Sequence, residues 1–206
     1  MASIYSFLST SALEFWAALT ALVCVWLAAR KNVWNWPVSI ASTILYSIVF
    51  YDSQLYSDSL LQLVFIGFQI YGWAQWTKKL SGKNQNLEKE SAWHNPIHFL
   101  SKPLRLTYAF SMIFSTVIWY FILTRLKPNA SLPEFDSVIF VISIYAIFLQ
   151  AKKAMENWGL WIFVNVISVP VYIYKELYFT SAVYFVFIGL AVYGIREWRK
   201  SVRVNK

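Results

Sequence analysis

Seven long apolar runs dominate the chain, at residues 12–29, 36–52, 58–77, 106–124, 136–152, 158–174 and 178–197. A helix needs roughly 20 mainly apolar residues to cross a bilayer, with about 17 to 25 tolerated. The runs are continuous and lack the two-residue alternation of a membrane β-barrel strand. The pattern therefore predicts an all-α integral membrane protein with seven transmembrane helices. The second and sixth runs are near the short limit. Both begin at tryptophan-rich segments, Trp34-Asn35-Trp36-Pro37 and Trp158-Gly159-Leu160-Trp161. Pro37 suits the first turn of a helix, where its missing N–H costs nothing.

The polar positions sit in the gaps between the runs, and their charge sets an orientation. Taking alternate gaps, 15 of the 18 Lys and Arg residues fall on one side and three on the other. The basic side is cytoplasmic by the positive-inside rule, so the N-terminus is predicted outside and the C-terminus inside. The longest gap, about 78–105, is polar and contains Gly82, Pro96 and Pro103. It is read as a cytoplasmic linker with a short surface helix near Trp93. Met1 to Glu14 contains no Lys or Arg. The basic region of a signal peptide is missing, and the first run is expected to be a retained span.

Composition agrees with this picture. Hydrophobic residues make up 58% and charged residues 14% of 206, against about 25% charged in an ordinary soluble domain. The net charge of +8 is a topology signal and not a nucleic-acid stripe, because it is confined to the gaps. Cys24 is the only cysteine. It allows no intrachain disulfide and reads as an inert thiol buried in the first run.

Sliding the chain against itself by 122 residues reveals a repeat. Val64-Phe65-Ile66-Gly67 falls on Val186-Phe187-Ile188-Gly189, Tyr71-Gly72 on Tyr193-Gly194, Trp76 on Trp198, and Asn35-Trp36 on Asn157-Trp158. There are 17 identities over residues 27–76 without a gap, where so apolar a composition gives roughly five by chance. The organisation expected is a first three-helix repeat over 1–77, a linker with a fourth span over 78–130, and a second repeat with a cytoplasmic tail over 131–206. The odd fourth span keeps the two repeats parallel, a known transporter plan in which rocking halves give alternating access to a cavity between them.

Positions where the repeat breaks point to asymmetric ligand contacts. Trp161 and Asn165 are four residues apart and share a helix face, with Trp158 one turn earlier. Their repeat partners are Ser39 and Thr43. A flat heterocycle can stack on Trp161 while Asn165 bonds its polar edge. The same residues also suit an interfacial aromatic belt and a helix–helix hydrogen bond. Gln62 in the third run pairs by repeat with Tyr184, so the two are candidates to face one cavity from opposite halves. Asp58 suits the outer interface and a helix cap. Tyr46, Tyr51 and Tyr172 fit either cavity or packing. Gly67 and Gly189 read as close-packing positions, and Pro170 as the site of a kink in one half only.

His94 and His98 have no partners at metal spacing, no phosphate-cradling glycine loop occurs, and no charged residue stands at a span centre. No metal, cofactor or catalytic residue is therefore expected, and facilitated diffusion fits better than ion coupling.

Several of these segments carry a resemblance. Trp34-Asn35-Trp36-Pro37, Leu55-Tyr56-Ser57-Asp58 with Leu61-Gln62, Tyr71-Gly72-Trp73, Asn157-Trp158-Gly159-Leu160-Trp161 with Asn165, and Tyr193-Gly194 with Trp198 resemble the bacterial nicotinamide riboside transporters of the PnuC type. The most specific element is the WxxW followed by Asn. The resemblance covers Ala29 to Trp198. It implies a three-plus-one-plus-three fold, a full-length relative of SWEET-type transporters, in a bacterial inner membrane. It also implies uptake of a vitamin precursor for NAD biosynthesis by facilitated diffusion, trapping by cytoplasmic phosphorylation, and a homotrimer. Trp161 and Asn165, then Trp158, are the implied binding residues. Related members carry thiamine or riboflavin, and stacking on Trp161 does not separate a nicotinamide ring from a thiamine pyrimidine. A seven-helix receptor or photoreceptor is the remote alternative. A retinal Schiff base needs a lysine within the last span, which has none, Lys175 lying at the outer end of span 6. A membrane enzyme would need a nucleophile–base pair that the spans lack.

Overall fold

The computed structural model describes residues 2–52, 56–77, 97–126, 128, 132–174 and 178–204, with the side chains of 2–12, 14, 49–52, 56–60 and 203–204 left aside. Among these residues the chain forms seven α-helices: α1 (Ala2–Ala29), α2 (Asn35–Asp52), α3 (Tyr56–Thr77), α4 (Lys102–Leu126), α5 (Pro133–Ala151), α6 (Glu156–Tyr174) and α7 (Tyr178–Val204). Each contains one of the seven apolar runs almost whole. Among the described residues, α4, α5, α6 and α7 as far as Val202 are long and apolar enough to cross a membrane, and α1 contributes a shorter apolar stretch, Phe15–Ala29. The expected helix near Trp93, the capping role of Asp58 and the ring of Tyr51 lie outside the described residues and side chains.

The helices group into two compact units, Met1–Pro96 and Ile97–Lys206. In the first, α2 packs on both α1 and α3. The Ser42 hydroxyl donates to the Ala17 carbonyl at 3.0 Å, tying α2 to α1, and the Gln69 amide donates to the Thr43 hydroxyl at 2.7 Å, tying α3 to α2. In the second unit α6 packs on α5 and α7, and α4 on α5. Apolar side chains on α4, such as Phe110, Ile113, Phe114 and Phe121, stay exposed. That suits a helix whose solvent is hydrocarbon rather than water.

Local geometry recurs at an interval of 122 residues, the offset of the sequence repeat. At the end of α1, Lys31 takes a positive φ of 60° and at the end of α5 Lys153 takes 56°. The Lys31 N–H donates to the Ala28 carbonyl at 3.0 Å and the Asn32 N–H to Leu27 at 2.9 Å. The Lys153 N–H donates to Gln150 at 3.0 Å and the Ala154 N–H to Leu149 at 2.9 Å. Both sets are the paired bonds of a Schellman motif, which satisfies the last carbonyls of a helix through one left-handed residue. Lysine replaces the usual glycine, and its charge suits the negative end of the helix dipole. One turn later the Asn35 and Asn157 amides donate back to the Asn32 and Ala154 carbonyls, at 2.7 and 2.6 Å.

The next residues recur as well. Trp36 meets Trp76 edge to face at 5.4 Å and 87°, and Trp158 meets Trp198 at 5.4 Å and 88°. Each first ring lies against a glycine, Trp36 on Gly72 and Trp158 on Gly194, where a Cβ would overlap the indole. This corrects the expectation for Gly67 and Gly189. A methyl group on either would meet nothing within 4 Å, so neither is a close-packing position.

One device belongs to the second unit alone. The segment before α4 lies alongside the α5–α6 turn: the His98 N–H donates to Lys153 at 3.3 Å and the Met155 N–H to His98 at 2.9 Å. Glu156 accepts the Leu100 N–H at 3.1 Å and the Arg105 guanidinium at 2.9 Å. Leu100 packs with Leu149 and Ala154 beneath this clasp. Further along α4, Ser111 hydrogen-bonds Tyr145 and Trp119 stacks on Phe140 at 4.1 Å. The connecting span of the sequence reading is thus held to α5. The Arg105 pair is half-exposed and contributes at most about 1 kcal/mol, whereas a buried N–H left unpaired costs about 1–3 kcal/mol. Glu156→Ala is therefore expected to lower the thermal stability of the detergent-purified protein more than Arg105→Ala does. The reverse order in a melting experiment would show that the ion pair, not the Leu100 bond, holds the clasp.

Candidate functional site

Four of the five predicted site residues lie in the second unit: Trp158, Trp161 and Asn165 on α6, and Tyr184 on α7. The fifth, Gln62, is a half-buried residue of α3 in the first. The Schellman turn and the Asn157 amide fix the start of α6, and the indole of Trp158 anchors it against α7. Trp161 therefore emerges one turn into a held helix and Asn165 one turn later on the same face.

The three α6 residues have different environments. Trp158 is 1% exposed and its ring is occupied by Trp198 and Gly194. Trp36 occupies the same environment in the first unit, so this part of the WxxW is shared framework. Trp161 is half-buried, and its indole N–H donates to the Gln150 side-chain oxygen at 3.0 Å. Asn165 is 4% exposed, and its side-chain amide has no hydrogen bond to another described residue. Such a group is costly in an apolar interior unless a ligand or water completes it.

The first unit shows the same position with a side-chain partner. Asn165 corresponds to Thr43, which receives the Gln69 amide. The counterpart of Gln69 is Ala191, buried and without a polar side-chain atom. The first unit therefore spends the Gln69 amide N–H on the hydroxyl at this position, and the second unit has no such partner for Asn165. Tyr184 completes the local aromatic set, tilted against Tyr172 at 4.9 Å and edge-on to Phe187 at 5.6 Å. Cys24 is half-buried, not fully buried as expected.

Gln150 did not stand out from hydropathy, because it lies at the end of its run. A signal was present all the same. Leu149 and Ala151 both match across the repeat, to Leu27 and Ala29, and Gln150 between them breaks it, against Ala28. The arrangement combines an oriented aromatic face, a buried uncommitted amide, and no charge at the centre of any described helix. It can bind a flat heteroaromatic ring bearing a hydrogen-bonding edge.

A family model described as nicotinamide mononucleotide transporter matches residues 11–200. The nicotinamide riboside transporter PnuC of Escherichia coli (strain K12) is 30% identical over 207 residues, covering 93% of this chain and 86% of that protein. The riboflavin/roseoflavin transporter RibM of Streptomyces davaonensis is 27% identical, covering 87% of this chain and 81% of its own. Among solved structures, the crystal structure of the vitamin B3 transporter PnuC is similar with a TM-score of 0.77 at 25% identity, over 100% of this chain and 88% of that one.

Proposed function

Because the chain belongs to the nicotinamide mononucleotide transporter family, we propose that it is a multi-pass inner-membrane transporter for the uptake of nicotinamide riboside, with its binding face on α6. The observation that carries the site is Asn165, a buried amide without a partner among the described residues, one turn beyond the half-buried Trp161. The nicotinamide carboxamide has a donor and an acceptor, which match the two halves of an asparagine amide. The pyridinium ring carries positive charge and favours the face of an indole. Trp158 anchors the start of the same helix, and Tyr184 on α7 and Gln62 on α3 are the further candidate contacts. The unphosphorylated nucleoside fits better than the mononucleotide, since the helix centres hold no Lys or Arg to balance a phosphate.

The remaining features of the reading follow from charge and repeat. Seven spans with the N-terminus outside suit the basic residues of alternate gaps, and the recurrence at 122 residues suits a three-plus-one-plus-three architecture of parallel repeats over 1–77 and 131–206, joined through 78–130. The absence of central charge in the sequence favours facilitated diffusion, made unidirectional by phosphorylation of the substrate in the cytoplasm. A homotrimer is the proposed assembly.

The similarity to RibM makes riboflavin a second reading, and thiamine is a third aromatic candidate. A thermal-shift panel on the detergent-purified protein separates them. A ligand that binds only the folded state adds about 2.7 kcal/mol of stability at a hundredfold excess over its dissociation constant. Nicotinamide riboside is expected to raise the melting temperature by several degrees, and its mononucleotide, riboflavin and thiamine are expected to leave it unchanged. A shift with riboflavin or thiamine alone would replace the substrate and keep the fold. A shift with the mononucleotide equal to that of the riboside would overturn the phosphate argument.

A further inference from the structure

We propose that Gln150 is a positioning residue of this site: its side-chain oxygen holds the Trp161 indole N–H, and so sets the plane of the ring on which the substrate stacks. The inference rests on the binding face proposed above and adds to it a residue from a neighbouring helix.

The bond itself is well formed, at 3.0 Å between Trp161 Nε1 and Gln150 Oε1. Its acceptor end is fixed. Gln150 occupies the last turn of α5, and its backbone carbonyl receives the N–H groups of Lys152 and Lys153 in the Schellman turn. Its donor end is the half-buried Trp161 indole, for which this bond is the polar contact that sets the ring orientation.

The repeat separates this role from a purely structural one. In the first unit the equivalent carbonyl belongs to Ala28, which receives the Lys31 N–H at the same 3.0 Å. The turn is built there with no polar side chain, only the methyl group of alanine. The glutamine is therefore not required by the turn. It occurs where the other partner has also changed, from Ser39 to Trp161. Framework contacts, such as Trp158 with Trp198 and Gly194, are present in both units. The Gln150–Trp161 bond joins two positions that both break the repeat, as Asn165 does. Gln150 on α5 and Trp161 and Asn165 on α6 are all positions that differ between the units.

The test is a mutant cycle read by calorimetric titration of the full-length, detergent-purified protein with nicotinamide riboside. Gln150→Leu removes the acceptor at similar volume. Trp161→Phe removes the donor and keeps an aromatic face. Each is expected to raise the dissociation constant about tenfold, the scale of one lost hydrogen bond. The double variant is expected to bind no more weakly than either single one, because both break the same bond. Gln150→Glu, which keeps an acceptor, is expected to bind like the parent. In protein labelled with ¹⁵N-tryptophan, the indole signal lost in Trp161→Phe should shift in Gln150→Leu and not in Gln150→Glu, a readout that needs no ligand. Unchanged affinity in Gln150→Leu, or additive losses in the double variant, would overturn the role of Gln150. Unchanged affinity in Trp161→Ala would instead remove the binding face and this inference with it.

Discussion

Asn165→Ala is expected to weaken nicotinamide riboside binding by tenfold to a hundredfold and to leave the fold intact. The reasoning begins with what the amide does in the empty protein. It is 4% exposed, with no hydrogen bond to another described residue, so removing it breaks no hydrogen bond among the described residues of the second unit. The protein without ligand should therefore melt close to the parent. The bound state loses the partner of the carboxamide, and an unpaired polar edge in a dry site costs about 1–3 kcal/mol. A factor of ten corresponds to about 1.4 kcal/mol. Trp161→Ala should cost at least as much, since stacking of a heterocycle on an aromatic side chain contributes about 1–3 kcal/mol. The measurements are the dissociation constant by titration and the melting temperature of the same samples. A normal melting temperature with lost affinity identifies binding residues. If Asn165→Ala also unfolded the protein, the amide would be a packing bond and the site would lie elsewhere.

The same contrast shows how much was legible beforehand. Helix positions were read from hydropathy to within a few residues in most cases. The larger departures are the start of α1, at Ala2 rather than residue 12, and the end of α7, at Val204 rather than residue 197. α5 begins at Pro133, three residues before its apolar run, because Leu132 takes a left-handed conformation and proline suits the first turn. The repeat was also legible, and five of its 17 identities, Lys31, Asn35, Trp36, Gly72 and Trp76, became shared hydrogen bonds and ring contacts. What identity could not reveal was which side a residue faces. Gly67 and Gly72 both match across the repeat, yet at 3.6 residues per turn they point about 140° apart. Only Gly72 meets a neighbouring ring. Trp158 and Trp161 pose the same problem in one motif. The pattern offered two tryptophans for one role, and the structure gives one to packing and leaves the other half-exposed. The distinction was present in the repeat all along: Trp158 has a tryptophan counterpart in Trp36, and Trp161 does not.

Gly194→Ala is expected to be the most destabilising small substitution in the described part of the second unit. A Cβ at this position would lie 2.6 Å from three atoms of the Trp158 ring, well inside ordinary van der Waals contact. A flexible side chain would move away at little cost. Trp158 cannot, because it is a rigid ring, 1% exposed, with the fully buried Trp198 set edge-on against it at 5.4 Å. The strain must therefore separate α6 from α7, and overpacking of this kind costs about 1–3 kcal/mol or more. In a bilayer that loss is not offset by burial elsewhere, since helices there are joined by close packing rather than by exclusion of water. Gly72→Ala should act alike through Trp36. Gly67→Ala and Gly189→Ala serve as controls. They have open space around them, and alanine favours a helix over glycine by about 1 kcal/mol, so their melting temperatures should hold or rise. The decisive variant is the double substitution Gly194→Ala with Trp158→Phe. A smaller ring makes room for the methyl group, so the pair should be more stable than additivity of the single changes predicts. Strict additivity would mean that the glycine is needed for its backbone and not for the ring beside it, and the shared Trp–Gly contact would lose its place as the joint between α6 and α7.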